Sequence, residues 1–147
     1  MRRTIDPADH QEGAWACLAL EVETARDDHL SPERIERLAS QIRDVLELEL
    51  DVVNGHRFEP IGFSLIAFGA TGRLAVHTWP EYRCATIDVW LGALWLGPRR
   101  LPLTAMLDAE GYHVVTEWLE APGSSIVEEV FVSSTDSQLS CLRRSQG

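Results

Sequence analysis

One amphipathic helix set among runs of strand composition limits what this chain can fold into. In DDHLSPERIERLASQIRDVLELEL, the residues Ile35, Leu38, Ala39, Ile42, Val45 and Leu46 recur at three- and four-residue steps. They form a single apolar stripe, which needs one apolar surface to cover. Ser31 is placed to cap this helix, Pro32 suits its first position, and Glu33 suits the positive end of its dipole. The runs around it supply a sheet. AWACLALEVE (14–23) has strand composition, and ELDVV (49–53) reads as a strand turned by Asn54–Gly55. Phe63–Phe68 and Arg73–Trp79 read as two strands around the turn Gly69–Gly72. Pro80 breaks the second, CATIDVWL (84–91) begins a third, and LGPRRLP is a loop. LTAMLDAEG follows as a short helix ended by Gly111, then YHVVTEWLE as a strand and SIVEEVFV (125–132) as a last, edge strand. This order predicts an α+β fold, a two-layer α/β sandwich whose mostly antiparallel sheet carries its helices on one face. Residues 1–132 are expected to form a single domain, and 133–147 a disordered tail.

Composition removes several classes of function. A net charge of −10 argues against nucleic acid, because phosphate binding needs clustered cations. No apolar run is long enough to span a membrane, and no secretion signal follows Arg2–Arg3, so the cytoplasm is the expected location. All 13 Lys and Arg residues are arginine. Without lysine this chain cannot hold pyridoxal phosphate as a Schiff base or use an amine nucleophile. Cys17, Cys84 and Cys141 show no metal spacing, and their odd number suggests no disulfide framework; Cys17 and Cys84 read as small buried hydrophobes.

The segment GATGRLAVHTWPEYRCATIDVW (69–90) concentrates polar groups between apolar strands. Pro80 forbids a helix that would stack His77 on Glu81, but in extended chain the two share a face with Trp79. As metal ligands they are only two and would need a third such as His56, so no metal is expected. His77 reads either as a hydrogen-bonded core histidine or as part of a pocket with Thr78, Glu81 and Asp88. Phe58, in HRFEP, reads either as a core aromatic or as a flat ring for a base-like ligand.

HRFEPIGFS followed by RLAVHTWPEYRCATIDVW resembles the bacterial and archaeal S-adenosylmethionine decarboxylases. Their pattern runs His-x-Phe-x-Pro-x-Gly-Val-Ser, then Glu-Ser-His-Leu-Ser-Ile-His-Thr-Trp-Pro-Glu-Tyr and an Ala-x-Asp strand. From His56 to Asp88 the register holds without a gap. The resemblance implies a sandwich fold and dimers with active sites near the subunit interface. It further implies self-cleavage at Glu-Ser to give a pyruvoyl group, the electron sink for decarboxylation on the way to spermidine. Position by position, the adenine-stacking phenylalanine falls on Phe58 and the ribose-holding glutamate on Glu81. The serine and histidine that assist processing fall on Ser64 and His77.

The departures from that pattern are as specific as the matches. Thr71, Gly72 and Arg73 replace Glu-Ser-His, so glycine stands at the pyruvoyl precursor, with no hydroxyl to attack the preceding carbonyl. The family's catalytic cysteine falls on Gly92, and Cys84 lies eight residues back along the strand, about 27 Å away. Beyond Trp90 the pattern is lost, and Leu91–Pro102 is expected to be a loop of this protein's own. The expected protein binds S-adenosylmethionine as substrate or ligand with no pyruvoyl and no pyridoxal phosphate. His77, Ser64 and Arg73 are its candidate catalytic residues, and Phe58, Glu81, Thr71 and Gly72 its candidate substrate-binding residues. Three roles fit: a cofactor-independent enzyme that releases methylthioadenosine, an inactive subunit paired with an active decarboxylase, or a ligand sensor. A homodimer is expected, or a heteromer with an active paralogue.

Overall fold

The computed structural model of the chain describes residues 15–120 and the backbone of residues 127–131. The elements are β1 (Trp15–Glu23), α1 (Pro32–Leu46), β2 (Val52–Arg57), β3 (Phe63–Phe68), β4 (Arg73–Trp79), β5 (Cys84–Gly92), α2 (Arg100–Ala109), β6 (His113–Glu120) and β7 (Val127–Phe131). The strands form one sheet in the order β2-β3-β4-β5-β1-β6-β7, every neighbouring pair antiparallel. The helices cover one face, giving the α+β sandwich that the pattern predicts. β7 lies at the sheet edge, as expected of the last strand. The lead-in and the tail expected at 133–147 lie outside the described residues.

Helix α1 starts where its capping residues dictate. The Ser31 side chain accepts a hydrogen bond from the Arg34 N–H at 3.3 Å, and Pro32 opens the first turn. The apolar stripe is buried: Ile35, Leu38, Ala39, Ile42 and Leu46 join Leu18, Leu20, Leu65, Leu74, Val76, Ile87 and Val89 in one core, with Val45 packed against it. Each fully buried side chain of this size contributes about 1.5–3 kcal/mol. The alternation of the strands then decides which residues remain on the far side of the sheet. No described helix is long and apolar enough to cross a membrane.

Two expectations are corrected. Asn54–Gly55 does not turn the chain, because β2 runs straight through it, pairing Asn54 with Ile66 and Gly55 with Leu65. Glycine is required there for packing: a Cβ at Gly55 would lie 2.7 Å from the Phe63 ring, which covers this point of the strand. The turn comes later, closed by the Phe58 N–H on the Gly62 carbonyl at 2.9 Å, with Gly62 at φ +115°. Nor is Leu91–Pro102 a loop. β5 continues to Gly92, helical turns cover Ala93–Leu96 and Gly97–Arg99, and α2 begins at Arg100. Tertiary contacts fold this Gly- and Pro-containing stretch. Trp95 Nε1 donates to the Leu46 carbonyl at the end of α1 (2.8 Å), and Arg99 stacks over the Trp95 ring at 3.5 Å while bonding Glu47. Pro102 sits in the first turn of α2, where a missing N–H costs little. Cys84 is fully buried but disulfide-bonded, which its spacing gave no reason to expect, while Cys17 is a free thiol.

Candidate functional site

Side chains on the sheet face turned away from the helices fall into rows set by strand register. One row runs His56, Ser64, His77, Thr86, Glu21 and Thr116 across β2, β3, β4, β5, β1 and β6. The next is Asn54, Ile66, Ala75, Asp88, Ala19 and Trp118, and the third Val52, Phe68, Arg73, Trp90, Cys17 and Glu120. These positions are brought together by pairing of strands distant in sequence.

The first row holds a close polar contact. Ser64 Oγ and His77 Nδ1 lie 2.6 Å apart. Aromatic rings border the pair: His77 meets Trp79 edge-on at 6.1 Å, and His56, beside Ser64, meets Phe58 edge-on at 4.6 Å. Phe58 is half exposed beyond the end of β2, and Glu81 is exposed in the short 3-10 turn Pro80–Tyr82 that follows β4. Phe58 also lines a cleft of about 300 Å³ with Leu30, Pro60, Ile61, Phe63 and Pro80, whose charged lining includes Arg57 and Asp27. Ser64, His77 and Glu81 do not line that cleft. Thus Phe58, Ser64, His77 and Glu81 all belong to the end of the sheet where β2 and β4 finish and β3 begins.

Arg73, Thr71 and Gly72 are not with them. Arg73 is four residues before His77 on the same strand, about 13 Å away. Its guanidinium lies 5.4 Å from the centroid of the Trp90 ring on the neighbouring strand. Thr71 is buried in the turn, where its hydroxyl accepts from the Glu49 N–H at 2.9 Å. Gly72 is packed from two sides: a Cβ there would lie 2.6 Å from the Trp90 carbonyl oxygen and 3.0 Å from Leu48 Cδ2. At Gly69 a Cβ would meet the Glu49 carbonyl oxygen at 2.0 Å. The glycine turn is therefore held against the chain that follows α1, with no space for side chains at either position. Arg73 starts from a different row of the face than Ser64 and His77.

Two further titratable groups stand in the second and third rows. Asp88 stands between Ala75 and Ala19, and burial raises its carboxyl above the usual aspartate range while nearby His77 pulls it down. Cys17 is opposite Trp90, and burial, then the charges of Asp88 and Glu120, push its thiol up to about 11. The two-residue alternation of β1 and β5 signalled that each shares a face with its neighbours. Which strands lie side by side was not readable. Among the described residues no three His, Cys, Asp or Glu side chains converge as a metal site.

Fold and rows define a two-layer α+β protein whose polar chemistry lies on the uncovered face of an antiparallel sheet. Comparison with known proteins narrows the class. The family model for S-adenosylmethionine decarboxylase matches residues 17–98, and the chain belongs to that family. It is 51 % identical over 35 residues to an S-adenosylmethionine decarboxylase proenzyme of Pseudomonas paraeruginosa, covering 24 % of this chain and 22 % of that protein. It is 30 % identical over 73 residues to the proenzyme of Saccharolobus solfataricus, covering 50 % of this chain and 55 % of that one. The matched segments thus span from about a fifth to about half of these relatives. The crystal structure of adenosylmethionine decarboxylase from Aquifex aeolicus shares the fold, with a TM-score of 0.59 at 20 % identity over 84 % of this chain and 98 % of that one.

Proposed function

We propose that this protein binds S-adenosylmethionine and cleaves it at a carbon–sulfur bond, releasing methylthioadenosine, without a pyruvoyl group. The observation that carries this reading is the contrast between two positions of the family pattern. The Ser64–His77 pair is intact at 2.6 Å. The precursor position is Gly72, which has no hydroxyl and no room for a Cβ. The Thr71 hydroxyl, one position away, is engaged with the Glu49 backbone. These residues do not fit a pyruvoyl group.

The chemistry left to such a site is displacement. The substrate's own carboxylate oxygen attacks its γ carbon, and the bond from that carbon to sulfur breaks with its electron pair going to sulfur. The sulfonium becomes neutral methylthioadenosine, the carboxylate becomes the ester of homoserine lactone, and no proton has to move. Loss of CO2 would instead leave a carbanion at Cα, which nothing in this chain can delocalise. The protein's work is to hold the substrate folded on itself and to keep water away. Phe58 offers a ring for the base, Glu81 a carboxylate for the ribose hydroxyls, and Ser64 and His77 a polar pair beside the sulfonium chain.

A second reading, an inactive partner subunit of an active decarboxylase, is supported by the exposed apolar side chains Ile66, Phe68 and Trp118 on the uncovered sheet face. One experiment separates the two. The purified protein is incubated with carboxyl-labelled S-adenosylmethionine, and the small molecules and the protein are both weighed by mass spectrometry. Methylthioadenosine and homoserine lactone beside one uncleaved chain are expected. Labelled CO2, or a chain split near residues 70–72, overturns the proposal. Substrate that is bound but returned unchanged favours the partner subunit.

A further inference from the structure

Among the described residues two aliphatic hydroxyls are bonded to an imidazole, and they differ in what else they hold. Thr24 Oγ1 lies 3.0 Å from His29 Nδ1, is buried, and also accepts the Arg26 N–H, so it is engaged in the turn before α1. Ser64 Oγ lies 2.6 Å from His77 Nδ1 and makes no second bond among the described residues. Both members of this pair are half-buried on the uncovered sheet face. With the His77 proton on Nε2, Nδ1 accepts from the Ser64 hydroxyl, the arrangement in which an imidazole makes serine a nucleophile. A second imidazole, His56, pairs with Ser64 across β2 and β3, so the hydroxyl has a ring on either side in its row. Directly opposite strand positions have Cβ atoms about 4.5–5.5 Å apart, close enough for an imidazole N–H to reach an oxygen held over Ser64.

The protein's own backbone gives this pair nothing to act on. Gly72 has no hydroxyl, so no backbone ester can form there, and the Thr71 hydroxyl is engaged with Glu49. The displacement proposed above brings an ester instead. The substrate chain beside Ser64 and His77 becomes the lactone ring, and its carbonyl carbon is an acyl centre of the kind that a serine–imidazole pair attacks. Departure of methylthioadenosine then opens the site to the water that hydrolysis needs.

We propose that Ser64, with His77 as its base, opens the lactone formed by the displacement, so that the protein releases homoserine as well as methylthioadenosine. This rests on the cleavage proposed above. Ser64 Oγ bonds to the lactone carbonyl carbon while His77 takes the hydroxyl proton, and His56 donates a hydrogen bond to the carbonyl oxygen as its charge develops. The bond from that carbon to the ring oxygen breaks with its electron pair on oxygen. His77 returns the proton there, making the homoserine hydroxyl. Water then attacks the seryl ester, and His77 passes one of its protons to Ser64 Oγ as that oxygen leaves. Homoserine departs with its carboxylate ionised and the second water proton in solvent. One water is consumed, and nothing is oxidised or reduced.

The test supplies homoserine lactone itself to the full chain and follows homoserine by NMR against the rate in buffer. Wild type should open it faster than buffer, and Ser64→Ala and His77→Gln should each slow the enzymatic rate by about 100- to 10,000-fold. His56→Gln, which keeps an N–H donor, should retain more of the rate than His56→Ala. A fluorophosphonate probe gives a readout that a merely structural role would not move. Peptide masses should place it on Ser64 in wild type, and His77→Gln, which keeps the hydroxyl but not the base, should label far more slowly. Opening no faster than buffer, full rate in Ser64→Ala, or a probe attached elsewhere overturns the proposal. In a time course with S-adenosylmethionine, lactone should appear first and pass into homoserine. Methylthioadenosine beside lactone that persists as long as it does in buffer overturns this proposal alone. If supplied lactone is opened but S-adenosylmethionine is returned unchanged, the cleavage reading is what has failed, and the pair's ester chemistry stands without it.

Discussion

At the scale of single residues, Gly72 and Asp88 are governed by opposite constraints. Gly72 is a matter of space. Serine at this position places a Cβ 2.6 Å from the Trp90 carbonyl oxygen, a backbone atom that cannot swing aside. Gly72→Ser should therefore lower stability by about 1–3 kcal/mol, the range of overpacked sites. It should leave the chain uncleaved, because the turn must shift before the hydroxyl can reach its carbonyl. Denaturant unfolding and intact mass check both parts, and two fragments of the expected masses would refute the second. Asp88 is a matter of charge. Its carboxyl is harder to ionise folded than unfolded, so ionisation opposes folding above the unfolded-state value, and stability rises as pH falls through the folded value. Asp88→Asn should melt above wild type at about pH 7, and the gap should close towards about pH 4. Melting curves at the two pH values check it; a gap that is constant, or that widens in acid, speaks against burial as the cause.

Elements are held partly by local signals and partly by partners far away in sequence. The start of α1 is local, since Ser31 and Pro32 fix it with a 3.3 Å cap on Arg34. Ser31→Ala should cost about 0.5–2 kcal/mol, read from the shift in denaturation midpoint at unchanged slope. The end of α1 is tertiary. Glu47 adopts φ 51°, a conformation unfavourable for glutamate, where Arg99 bonds its carboxylate and Trp95 takes the Leu46 carbonyl. That same clasp turns Ala93–Arg99 into helical turns, which explains why LGPRRLP read as a loop. β2 has the same origin: Asn-Gly favours a turn only when no strand offers a better partner, and β3 does.

For the whole molecule, the placement of the candidate site residues outside the core has a consequence for stability. Phe58 is 50 % exposed, so the fold depends on it little. Phe58→Ala should weaken S-adenosylmethionine binding by about 1–3 kcal/mol, the scale of base–aromatic stacking, while leaving the melting temperature within a few degrees of wild type. Calorimetry and a melting curve measure the two independently. Unchanged affinity would show that the ring belongs to the cleft it lines with Pro60 and Ile61 and not to a ligand. The two-layer architecture accounts for this division of labour. Helices bury one side of every central strand, and the other side remains for the Ser64–His77 pair at one end and Arg73 at the other.

What the sequence determined by itself was whatever depends on neighbours within a few residues: the α1 stripe and cap, the hairpin Phe63–Trp79 about its glycine turn, and the motif that carries the family. Period and capping are local physics, so they survive without knowledge of the fold. Only the tertiary structure decided that Ser64 and His77 touch while Arg73 does not, that Cys17 stands beside Trp90, and that Gly72 has no room for a side chain. Those facts depend on strand register and on the approach of chain segments distant in sequence. A two-residue alternation says which side of a strand a residue occupies, but it carries no information about which strand lies next to it.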